Sequence, residues 1–145
     1  MQSNGVGDTT SSESIIPTLL FVMRKSILLV DDDALVRRSV MRALRDSGFE
    51  LHPAESAEKA LELMADRGAP FDLIITDVVM SGMSGVAFSE TVRLAGVTTP
   101  IILVTGFPGA HLSPSPLTIE RLRLLPKPFT PKALRDEIAG MLSLA

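Results

Sequence analysis

The chain contains no cysteine, which excludes both a disulfide framework and thiolate metal sites. Tryptophan and tyrosine are also missing, and all six aromatic residues are phenylalanine. No side chain here therefore joins a broad ring to a polar tip. Positive charge is short as well. Fourteen Lys and Arg stand against seventeen Asp and Glu, for a net charge of -3 and a pI near 5.3. That balance argues against a nucleic-acid binder, which would show a basic face. The two histidines, His52 and His111, have no partner at metal-ligand spacing and read as surface residues. Long apolar runs are absent too. The longest early candidate, "IIPTLLFVM", has nine residues and is broken by Pro17, whereas a membrane span needs about 20. A signal peptide would need a basic start and a small-residue cleavage site, and neither is present. These absences predict a cytoplasmic protein that engages neither membrane nor nucleic acid.

What remains fits one globular domain: 145 residues, 46% hydrophobic and 21% charged. Residues 1–23 differ from the rest. "MQSNGVGDTTSSES" is small, polar and turn-prone, and predicts a disordered or weakly structured extension, dispensable if Met23 is a natural start. Residues 24–145 form the domain. Short apolar runs recur at "SILLV" (26–30), "DLIIT" (72–76) and "PIILVT" (100–105). Runs without polar alternation suit strands covered on both faces, as in a parallel sheet. "ELHPAE" (50–55) falls where a second strand belongs, and Pro53 confines it to an edge. A last strand is predicted at about 122–125.

Helical spacing separates these runs. Val36, Val40, Ala43, Leu44 and Ser47 share one face and Arg38, Arg42 and Arg45 another, with Gly48 as the stop. Arg37 joins the arginines in what reads as a solvated face. Ala57, Ala60, Leu61 and Met64 follow a Ser56 N-cap, and Leu134, Ile138 and Met141 form a stripe behind Thr130–Pro131. A proline-interrupted helix is predicted at about 116–122. Five strands alternating with five helices predict an open, doubly wound α/β sheet with right-handed crossovers.

In such sheets ligands bind beyond the carboxyl ends of the strands. The first run ends in Asp31, Asp32 and Asp33, the third in Asp77, the fourth in Thr105, and the fifth leads into Lys127. Three like charges in a row at the end of a buried strand repel one another and need a neutralising partner. Asp33 reads as the N-cap of the first helix, which leaves Asp31 and Asp32 as the functional pair. All-oxygen donors without His or Cys suit Mg²⁺, with Mn²⁺ possible. With a cation and a lysine in place, the cleft would attract a phosphoryl group that Asp77 could accept as nucleophile. The Thr105 hydroxyl could add a hydrogen bond. Met80 and Met83 read as loop packing.

The motifs "LLVDDD", "LIITDVVMSGMSG", "IILVTG" and "LLPKPF" occur in order, with 46 residues from Asp31 to Asp77, 28 more to Thr105 and 22 more to Lys127. In these motifs and intervals the stretch from Arg24 to Ala145 resembles the receiver domains of two-component response regulators. The resemblance implies the flavodoxin-like (βα)5 fold with strand order 2-1-3-4-5. It implies Asp77 as phosphoacceptor and metal ligand, and Mg²⁺ held by Asp31, Asp32 and the backbone carbonyl of Val79. It further implies Lys127 on the phosphoryl group, a cis bond to Pro128 and Thr105 as switch hydroxyl. A sensor histidine kinase or histidine phosphotransfer protein would dock on the first helix face as donor.

Two departures stand out. Leu124 occupies the position, three before the lysine, where the family usually has an aromatic, so the usual aromatic–threonine coupling is not expected. Ser81 replaces a proline common after the acceptor-loop methionine. Only 18 residues follow Lys127, so a stand-alone receiver acting on an unknown downstream protein is expected, not itself an enzyme. Two rivals remain. Asp31-x-Asp33 after a strand is also how Mg²⁺-dependent phosphohydrolases of the haloacid-dehalogenase type begin, although Asp136 and Glu137 fall in a predicted helix. A receiver-like binding module that is never phosphorylated is the other.

Overall fold

A computed structural model describes residues 24–106 and 118–143. The readings of residues 1–23 as an extension and of His111 as a surface residue lie outside this range. Five strands form one parallel sheet: β1 Ser26–Val30, β2 Glu50–Ala54, β3 Leu73–Asp77, β4 Ile101–Thr105 and β5 Leu122–Pro126, in the order β2-β1-β3-β4-β5. Four helices are present among the described residues: α1 Ala34–Leu44, α2 Ala57–Asp66, α3 Gly85–Leu94 and α4 Pro131–Ser143. The short helix predicted at 116–122 begins outside the described range. Its described remainder is one 3₁₀ residue at 118, a bend at 119 and turn at 120–121, and Leu122 already belongs to β5.

Alternation along each strand divides the core in two. Ile27 and Leu29 of β1, Leu73 and Ile75 of β3, and Ile102 and Val104 of β4 face Val40 and Leu44 of α1 and Leu134, Ile138 and Met141 of α4. Leu28, Val30 and Ile74 face the other way, onto Ala57 and Ala60 of α2 and Phe88 and Val92 of α3. Both faces are covered, which is why the strands read as unbroken apolar runs. Truncating one of these Leu or Ile side chains to Ala should cost about 2–5 kcal/mol.

Local chemistry sets the boundaries. Asp33 caps α1 by accepting from the N–H groups of Leu35 (2.9 Å) and Val36 (3.3 Å), while Ser56, Ser84 and Thr130 cap α2, α3 and α4 through Lys59, Ala87 and Ala133. After Leu44 the chain tightens into a 3₁₀ turn, Arg45–Ser47, and leaves through Gly48 at φ 80°. Ser47, placed by its spacing on the buried face of α1, is therefore in that turn and exposed. The β2 edge accommodates its proline because of the strand's phase. Glu50 N–H donates to Lys25 and the Ala54 carbonyl accepts from Asp31, so residues 50, 52 and 54 face β1. Pro53 points its missing N–H outward.

At the opposite end of the sheet, Arg93 of α3 ties down the turn that feeds β5. Its guanidinium donates to the carbonyls of Glu120 (3.0 and 2.8 Å), Arg121 (3.3 Å) and Val97 (3.0 Å). These bonds hold Arg121 at φ 54°, a conformation that non-glycine residues rarely adopt. His52 is less exposed than its surface reading implied. It lies 2.6 Å from Glu50 and sets its ring against the edge of Phe71 at 5.1 Å. No described helix is long and apolar enough to cross a membrane.

Candidate functional site

Because the strands are parallel, their carboxyl ends gather at one edge of the sheet, and the loops there carry the acids and the lysine. β1 ends at Val30, so the next residue, Asp31, sits directly over the sheet and is 4% exposed. Its Oδ1 accepts the Asp33 N–H at 2.9 Å, and the Arg37 guanidinium donates to its backbone carbonyl. Arg37 is thus partly committed to the site, whereas Arg38, Arg42 and Arg45 are exposed on α1. Burial is the main cause that raises the Asp31 pKa from 3.8 to about 6. The Asp33 N–H and Lys127 oppose that rise, and the neighbouring charges of Asp77 and Asp32 add to it.

Asp77 closes β3 with its side chain 12% exposed, and Lys127 reaches it from the end of β5: Nζ lies 2.9 Å from Oδ2. Residues 50 apart in the chain thereby form a charge-assisted bond across two intervening strand gaps. The Lys127–Pro128 bond is cis, as expected. The Lys127 N–H donates to the Thr105 carbonyl at 2.8 Å, which fixes the end of β5 against β4. Thr105 is 1% exposed at the end of β4, one position beyond Val104, the register partner of Asp77. The Val79 N–H faces Asp77 Oδ1 at 3.4 Å, and the Val79 side chain is 66% exposed.

Asp32 behaves differently from Asp31. It is exposed, and its Oδ2 accepts both the N–H (2.9 Å) and the Oγ–H (3.1 Å) of Ser81. The backbone bond from Ser81 is the main cause that lowers the Asp32 pKa. Among the described residues no three acidic or histidine side chains are arranged to enclose one ion by themselves. Asp31 and Asp77 stand at adjacent strand ends, while the Asp32 carboxylate is turned to the loop after β3.

Two features of the site were not read from the sequence. Gly85 opens α3 with its N–H on the Val78 carbonyl at 2.8 Å, and a Cβ there would lie 1.9 Å from the Asp77 carbonyl oxygen. Only glycine lets the helix approach the acid's backbone so closely. Glu58 of α2 accepts from the Met83 N–H at 3.4 Å, so the loop from Val78 to Ser84 is held from both sides. The final glycine of "SGMSG" was a visible signal for the first. Nothing local signals the second. Met80, read as loop packing, lies in the core, 8% exposed. Leu124 packs with Val78, Val86 and Leu103, where an aromatic would have filled more space.

The phosphohydrolase reading loses its footing in this geometry. Asp33, which would have to serve as its second acid, is occupied as the cap of α1. Asp136 and Glu137 lie on α4 and pair with Lys132 (2.7 Å) and Arg123 (3.8 Å).

The family model for the response regulator receiver domain matches residues 27–139. The response regulator receiver protein CpdR of Brucella abortus is 31% identical over 121 residues, 83% of this chain and 99% of that one. The sensor kinase CckA of the same organism is 32% identical over 117 residues, 81% of this chain but only 12% of the kinase. Among solved structures, the chemotaxis protein CheY4 of Vibrio cholerae superimposes with a TM-score of 0.74 at 30% identity, covering 81% of this chain and 98% of that one.

Proposed function

The chain belongs to the response regulator receiver domain family, and from that premise we propose that Asp77 accepts a phosphoryl group from a histidine kinase or histidine phosphotransfer protein. The acceptance depends on Mg²⁺, and the modified chain acts through protein–protein contacts. The observation that carries this reading is the 2.9 Å contact of Lys127 Nζ with Asp77 Oδ2, beside the buried Asp31.

In the transfer, a carboxylate oxygen of Asp77 attacks phosphorus in line. The P–N bond to the donor imidazole breaks, the O–P bond forms, and the imidazole leaves and takes up a proton. Lys127 passes from the carboxylate to the phosphoryl oxygens, where its charge offsets the negative charge that gathers there. Thr105 supplies a hydroxyl donor to the same group. Water later attacks phosphorus, releases inorganic phosphate and restores the carboxylate. The chain is a signalling module that is modified, not a turnover enzyme.

The residues fit a hard divalent cation. Asp31 is a carboxylate with little solvent and two acids beside it, the situation a bound cation relieves. Asp32, Asp77 and the Val79 carbonyl would hold Mg²⁺ or Mn²⁺, with Asp31 directly or through water. Such an ion would neutralise charge on the phosphoryl oxygens.

CpdR is named a response regulator receiver protein and CckA a sensor kinase, and both fit a place for this chain between a kinase and a downstream protein. Labelling with acetyl phosphate tests the reading. The parent should take up stoichiometric label, Asp77→Asn little or none, and chelator should abolish labelling of both. Equal label on the variant would overturn it. Steady p-nitrophenyl phosphate turnover dependent on Asp31 would restore the hydrolase. A parent that neither labels nor shifts with beryllofluoride in NMR spectra would leave the unmodified binding module.

A further inference from the structure

The twin hydrogen bonds between Ser81 and Asp32 serve neither α1 nor the contact of Asp77 with Lys127. They join two loops whose residues are 49 apart in sequence, and both end on one oxygen, Asp32 Oδ2. A proline, which the family commonly carries at this position, has neither an N–H nor a hydroxyl to give. Both bonds therefore belong to this chain's own departure from the pattern.

Their direction matters. Asp31 and Asp77 lie at the ends of paired strands β1 and β3, but Asp32 is drawn toward the β3–α3 loop, and no three acids among the described residues converge on one point. The same loop is tied on its other side by the longer 3.4 Å bond from Met83 to Glu58. Glu58 also lies 3.0 Å from where a Cβ on Gly82 would sit.

We propose that Ser81 is a positioning residue, a latch that holds the Asp32 carboxylate away from the acid pocket, so that Mg²⁺ must displace both Ser81 donors before Asp32 can serve the ion. This rests on the site reading given above and adds to it a setting of metal affinity. Binding of the ion also frees the loop at Ser81, while Glu58 still holds it at Met83.

Magnesium titration of the full chain, followed by amide shifts in NMR spectra, tests the latch without any phosphorylation. Ser81→Ala keeps the N–H and loses the hydroxyl. Its Mg²⁺ affinity should rise by about 3-fold, as loss of one modest hydrogen bond implies. Ser81→Pro loses both donors and should gain roughly 10-fold or more. Ser81→Thr keeps both and should match the parent. In the parent the amides of Ser81 and Gly82 should shift with Mg²⁺; in Ser81→Pro the response should shrink to Gly82 and its neighbours.

Affinity that is unchanged or lower in Ser81→Ala would overturn the latch, the lower value meaning that Ser81 aims Asp32 at the ion. Thermal melts of each variant separate misfolding from these outcomes, and Ser81→Ala, at an exposed position, keeps the test decisive if the proline variant fails to fold. Acetyl phosphate labelling at saturating Mg²⁺ should be equal in parent and Ser81→Ala. If neither chain labels, the phosphoacceptor reading fails while the affinity order still decides the latch.

Discussion

Asp31 is a carboxylate that the fold holds at a disadvantage. In the folded chain it keeps its proton up to about pH 6, against 3.8 when free. Between those values the folded state binds more protons than the unfolded one, so this group's contribution is fully present below about pH 3.8 and is lost as the pH rises to about 6. Above that window its charge opposes folding by up to roughly 3 kcal/mol. Asp31→Asn retains the oxygen that accepts from Asp33 and removes the charge. Its urea midpoint should exceed the parent's at pH 7 and converge on it near pH 4, and added Mg²⁺ should raise only the parent's. A variant no more stable than the parent at pH 7 would show that burial of Asp31 carries no such cost. The run of three aspartates already announced a need for neutralisation. Its third member was already legible as the cap of α1. What the run did not show is how differently the other two are housed: one buried, one turned to a distant loop.

At the level of elements, β1 was legible to the residue because an apolar run stands between Lys25 and Asp31. β3 runs one position later than its sequence reading, since the Asp72 carboxylate is used against Ser26 N–H (2.8 Å) before the strand begins. The stripe of Leu134, Ile138 and Met141 is buried as its spacing required. The bounds of α3 were not legible. It starts with glycine and contains Val86, Thr91 and Val92, poor helix formers that tertiary packing overrides. The strand-end acids and Lys127 could be placed because a parallel sheet sends every carboxyl end the same way. The Ser81–Asp32 and Glu58–Met83 bonds could not, because periodicity says nothing of where a rotamer in a remote loop points. Pro53 illustrates the element scale in reverse. Its orientation leaves the outer rim of β2 without one donor, which discourages pairing with another chain. Pro53→Val should leave monomer stability within about 1 kcal/mol yet promote self-association, visible as concentration-dependent sedimentation. A variant that stays monomeric at all concentrations would mean the rim is protected some other way.

Across the whole molecule, the acid pocket and the Arg93 contacts occupy opposite ends of the sheet and share two elements. α3 begins against the Asp77 backbone through Gly85 and carries Arg93 in its last turn, and β5 begins at the turn Arg93 holds and ends one residue before Lys127. Arg93→Ala removes the guanidinium bonds to Val97, Glu120 and Arg121. It should destabilise the chain by about 1–3 kcal/mol and speed hydrogen exchange through residues 118–126 more than in β1. Uniform protection loss would mean that the arginine supports global stability alone. If the local effect is seen, Asp77, α3, Arg93, β5 and Lys127 make a closed belt around one side of the protein. A pull on the lysine at the acidic pole is then felt at the far pole near Leu94, which is 89% exposed. On the proposed function, a partner seated there would sense modification of Asp77 without touching it.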